Sequence, residues 1–184
     1  MTSMDAKQAA LALSDINEIA HRVRQSTTYK AASLVLILSG GVTCIGYLLT
    51  YLSPPTAGYT WAALYVVGTL GWIGIAAVQR RQSGVRTLSL RILTGVALFV
   101  AFGLFTCQLG HFGPRQLSTF WPIYFMLAYT IAGLWTGLAF VVIGLSITAL
   151  TLVGYVYIGQ GFDLWMAVVD GGGLILGGLW MRRD

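Results

Sequence analysis

From Thr119 to Ile158 the chain runs forty residues without one charged side chain. A single α-helix of that length would reach about 60 Å, twice the roughly 30 Å hydrocarbon core of a bilayer. The stretch is too apolar for a soluble surface and too long for one crossing. It predicts a helical hairpin that turns near Trp135, Thr136 and Gly137.

Other apolar runs fall into the same pattern, and six spans account for them. The first covers about residues 31–52 and ends at Ser53-Pro54-Pro55, where proline cannot continue a helix. The second covers about 59–79 and stops at Arg80-Arg81. The third, about 88–108, is broken by Gly110-His111-Phe112-Gly113-Pro114. Spans of about 119–136, 139–158 and 164–181 complete the set. With 57% hydrophobic and 9% charged residues, the balance is that of a membrane protein. The expected fold is all-α and polytopic: six transmembrane helices as three hairpins, preceded by an amphipathic helix within residues 1–30.

Basic residues orient this arrangement. Lys7, Arg22, Arg24 and Lys30 precede the first span, Arg80, Arg81, Arg86 and Arg91 separate the second and third, and Arg182 and Arg183 follow the last. Only Arg115 is left for the other side. Lysine and arginine beside spans are retained in the cytoplasm, so both termini are expected there. The net charge of +5 is therefore explained by topology, and no nucleic acid partner is expected. Cys44 and Cys107 both lie in apolar runs and share no ligand spacing with a histidine, so neither a disulfide framework nor a metal or cofactor site is indicated. The polar start of the chain is unlike a cleaved signal peptide.

Ala9, Leu13, Ile16, Ala20 and Val23 recur at helical spacing, which puts them on one stripe of the N-terminal helix. Two roles fit residues 9–23: lying in the lipid headgroup layer, or docking a cytoplasmic protein or second subunit. A weak internal repeat links Thr43-Cys44-Ile45-Gly46-Tyr47 to Thr151-Leu152-Val153-Gly154-Tyr155, each followed by a tryptophan that opens the next helix, Trp61 or Trp165. Trp121 opens the fourth span likewise. Trp61, Trp121, Trp135, Trp165 and Trp180 are expected as anchors at the water–lipid boundaries.

Across most of its length the chain resembles an uncharacterised family of small bacterial six-helix membrane proteins. Carriers of the resemblance are Asp15-Ile16, Gly40-Gly41-Val42, Gly46-Tyr47-Leu48, Ala132-Gly133-Leu134-Trp135, the 148–155 segment, Leu164-Trp165-Met166-Ala167-Val168-Val169 and Gly172-Gly173-Leu174-Ile175-Leu176. The resemblance implies a bacterial inner-membrane protein. It transfers no activity, ligand or catalytic residue.

Asp170 is the one acidic residue well inside a span. An aspartate at a helix centre costs about 2.5–3.5 kcal/mol on insertion scales, so it marks either a proton or cation relay or a hydrogen bond between helices. Beside it, Gly171-Gly172-Gly173 is expected first to serve ordinary tight helix packing and, as the alternative, to allow local unwinding of the sixth helix. Gly173 with Gly177, and Gly133 with Gly137, are four apart on one helix face, and Gly68 and Gly71 thin the second helix; all are candidates for close helix packing. His111 stands alone in its loop, and Arg115 could meet an anionic headgroup or Asp163. No nucleophile–base pair or paired carboxylates occur, so enzymatic activity is not expected. The expected function is that of a non-enzymatic protein acting through helix packing, oligomerisation or a cytoplasmic partner; the alternative is a small proton- or cation-coupled transporter or channel using Asp170.

Overall fold

A computed structural model describes residues 32–83 and 90–182. The stripe expected over residues 9–23 lies outside them. Among the described residues there is no strand. Helices α1 (Ala32–Leu52), α2 (Ala57–Ser83), α3 (Leu90–Leu109), α4 (Pro114–Thr136), α5 (Leu138–Tyr157) and α6 (Phe162–Trp180) follow one another through short connections. Among the described residues, five of them are long and apolar enough to cross a membrane, and the apolar part of α3, Leu93–Leu109, is shorter. The chain is a helical membrane protein.

Three connections among the described residues have a local cause. A 3-10 turn at Pro54–Thr56 leads into α2. Pro114 occupies the first turn of α4, where its missing N–H is no loss, and the Gly113 N–H donates to the Gln116 side chain at 2.8 Å. This start lets α4 begin ahead of the span expected from Thr119, with Arg115 inside its first turn. Between α4 and α5 a single residue reverses the chain: Gly137, at φ 147° and ψ 149°, a conformation that side chains with a Cβ rarely adopt.

Four helices make the interior. Helix α6 lies against α1 on one side and α5 on the other, and α4 packs along α5. Leu36, Met126, Phe140, Ile143, Ile147, Val169 and Leu174 fill the space between them. A second cluster of Tyr47, Phe162, Met166 and Ala167 closes the end where α6 begins. Helix α2 rests on α1, where Gly71 meets Leu38 and Gly68 meets Val42, and none of its apolar window is buried. Helix α3 rests on α4, with Phe99 stacked on Tyr124 at 4.1 Å between ring centroids.

Small residues allow the closest approach. A methyl group on Gly40 would sit 2.6 Å from the Gly171 carbonyl oxygen, and one on Gly171 would sit 2.7 Å from the Cys44 Cβ. One on Gly178 would meet the Ser33 carbonyl at 2.8 Å. Helices packed in lipid gain from such contact because no hydrophobic force drives them together.

Candidate functional site

Helix α6 is not uniform. Its first turns are α-helical, Ala167–Gly172 form a π-helical segment, and α-helix resumes at Gly173. The wider π turn falls on the run of glycines, where β-carbons are absent and the cost of departing from the regular ladder is least. Asp170 stands in the middle of it. Such segments concentrate at functional sites.

The Asp170 side chain is only 3% exposed, and its Oδ1 has no hydrogen-bond partner among the described residues. Tyrosines from three other helices lie within its electrostatic range: Tyr47 of α1, Tyr65 of α2 and Tyr129 of α4. Ser39 of α1 stands beside the Tyr129 hydroxyl. On α5, Thr151 is fully buried and its hydroxyl is likewise unpartnered, as is that of Ser33 on α1. Unpaired polar groups in a dry interior cost about 1–3 kcal/mol each. Native structures keep only a few such groups, and each one calls for an explanation.

Tyr47 is held firmly. Its hydroxyl donates to the Ser118 carbonyl on α4 at 2.8 Å, and its ring meets Trp61 edge-on at 5.0 Å. Pro122, buried inside α4, has no N–H to offer that same carbonyl four residues back. The Ser118 side chain stands beside Asp163, at the start of α6.

Arg115 is engaged at the end of α5. Its guanidinium donates to the carbonyls of Tyr155 at 2.7 Å and Ile158 at 2.5 Å, and it lies over the rings of Tyr155 and Phe162. It caps the C-terminus of α5 and ties the adjacent ends of α4, α5 and α6 together.

The expected anchor tryptophans divide into two groups. Trp135 and Trp180 are exposed. Trp61, Trp121 and Trp165 lie instead across glycines of the preceding helix: Gly46, Gly103 and Gly154. Trp61 donates to the Thr50 hydroxyl and Trp165 to the Leu150 carbonyl, both at 3.0 Å. The Gly46 and Gly154 repeats thus carry the same contact, and α3 with α4 supplies a third.

Among the glycines singled out, Gly173 and Gly177 face Ile147 and Ile143 of α5 and line a shallow apolar groove of 280 Å³. Gly133 meets Val141 and Phe140 across the α4–α5 turn, and Gly71 meets Leu38; Gly68 makes only ordinary contact with Val42. Gly137 is the turn itself. His111 is exposed, at φ 47° in the turn after α3. No three His, Cys, Asp or Glu side chains converge among the described residues. The chain matches no family model, no curated protein and no solved structure.

Proposed function

We propose that this is a bacterial plasma-membrane protein of six spans, entering as three hairpins with both termini cytoplasmic, and that it is a small proton- or cation-coupled transporter whose working group is Asp170. The contacts of Gly46 with Trp61, Gly103 with Trp121 and Gly154 with Trp165, each beside a turn, support an arrangement in hairpins. Ten basic residues on one side favour the orientation. A reporter fused behind Asp184 should be active only in the cytoplasm; activity only on export would refute it.

The single observation that carries the transport reading is the buried Asp170 carboxylate in the π segment of α6, whose Oδ1 has no hydrogen-bond partner among the described residues. A helix interrupted beside an intramembrane acid is a transporter device. Full-length protein in sealed vesicles should pass protons or alkali cations, and Asp170→Asn should abolish the flux. Wild-type vesicles without flux would sink the idea.

A second reading is favoured by the uncovered face of α2, whose apolar window contains no buried residue. On it, the protein is non-enzymatic and acts by oligomerising through that face, or by engaging a cytoplasmic partner through residues 9–23. Deleting residues 1–28 should then remove co-purifying protein, and an unchanged set of partners would count against the docking role.

A further inference from the structure

Thr151 behaves unlike its neighbours. Thr43, Thr119, Thr130 and Thr148 each donate to the carbonyl four residues back in their own helix. This is how helical threonine ordinarily satisfies its hydroxyl. Thr151 does not, although it is fully buried and the Ile147 carbonyl stands four residues behind it.

Its level in the bundle follows from the residues on either side. Ile147 packs on Gly173, and Gly154 receives Trp165. Thr151 lies between them on α5, hence beside the stretch of α6 that contains Asp170. Two buried oxygens without hydrogen-bond partners therefore stand at one depth on adjacent helices, one carboxylate and one hydroxyl.

We infer that Asp170 and Thr151 form a binding site for a desolvated monovalent alkali cation, of which sodium is the type. This rests on Asp170 being the coupling group. Hard oxygen donors suit hard cations. Charge sets the valence: among the described residues, the titratable groups within electrostatic range of Asp170 are Tyr47 of α1, Tyr65 of α2 and Tyr129 of α4, and none is cationic. One carboxylate balances a single positive charge. A divalent ion would leave an uncompensated charge in the low-dielectric interior, which is costly. A proton would serve the carboxylate alone, whereas a cation draws lone pairs from both oxygens together.

The test uses the full-length protein in lipid nanodiscs, with sodium chloride exchanged for choline chloride at constant ionic strength, read by thermal unfolding and tryptophan fluorescence. Wild type should show a saturable response to sodium and none to choline. Asp170→Asn should lose the response, and Thr151→Val should raise the half-saturating sodium concentration about tenfold, the loss expected for one neutral ligand. Thr151→Ser should keep wild-type behaviour, which separates a lost ligand from a damaged fold. Equal responses to the two salts, or a Thr151→Val variant that binds like wild type, would overturn the site. A response to pH alone would assign Asp170 to protons, ending the alkali-cation site while leaving the coupling role. Sodium binding without any flux would retain the site and end the transport reading.

Discussion

The Tyr47 hydroxyl donates at 2.8 Å to the carbonyl of Ser118, the carbonyl that Pro122 leaves without its helical N–H. A defect in one helix is thus repaired by a side chain from another, and the repair fixes α1 against α4. Tyr47→Phe leaves a buried acceptor unpaired and should cost about 1–3 kcal/mol of stability. Pro122→Ala restores an N–H to the same acceptor. In that background the cost of Tyr47→Phe should shrink by about 1 kcal/mol, a coupling that a double-mutant cycle of unfolding measures. Additive effects would show that the two residues do not share the carbonyl.

The α1–α6 contact makes a sharper demand on adjacent glycines. An alanine methyl at Gly171 would meet the Cys44 backbone at 2.8 Å, whereas one at Gly172 would meet nothing within 4 Å. Gly171→Ala should therefore destabilise by about 1–3 kcal/mol through overpacking. Gly172→Ala should be neutral or gain up to about 1 kcal/mol, since alanine is the better helix former. Thermal unfolding of the two variants in the same lipid decides it, and equal behaviour would mean that α1 and α6 are not so closely opposed.

What the sequence made legible was periodic or compositional. Apolar length and charge placement give the helical membrane class, and Asp170 stands out as the one acid well inside a span. The departure from α-helix is signalled by three successive glycines, which weaken the ladder from within. Gly171 and Gly178 were harder to find because their partners, Gly40 and Ser33, come from the other end of the chain. Seven-residue spacing also hides them beside the more obvious pair Gly173 and Gly177. The tryptophans illustrate a different limit. An indole near a helix end satisfies its N–H equally well at the headgroup layer or on a neighbouring helix, so composition alone does not separate Trp135 from Trp165. The capping by Arg115 depends on the folded proximity of α4 and α5 ends, which no local pattern encodes.

The indole contacts should respond to added bulk. The Cβ of an alanine at Gly46 would lie 2.8 Å from the Trp61 ring, one at Gly103 would lie 2.9 Å from that of Trp121, and one at Gly154 would overlap Trp165. Each substitution should displace its own tryptophan and shift its fluorescence, most strongly for Gly154→Ala. Gly41→Ala, with open space around it, should leave the emission unchanged. Identical spectra for all four would argue that the rings are not seated on these glycines.

Arg115 offers the test furthest from the membrane interior. Its guanidinium holds the carbonyls of Tyr155 and Ile158, and the last turn of α5 is closed by the Ile158 N–H donating to Gly154 at 2.9 Å. A charged hydrogen bond to helix-end carbonyls ranges from about 1.5 to 3 kcal/mol when buried, and less here because these bonds are solvent-exposed. Arg115→Gln removes the charge and the fork of donors while keeping an amide. It should fray the end of α5, seen as faster hydrogen exchange at the Tyr157 and Ile158 amides with little change at the Ile147 amide. Arg115→Lys keeps a cation near the negative end of the helix and should give an intermediate rate. Unchanged exchange in Arg115→Gln would show that α5 holds its last turn without this clamp.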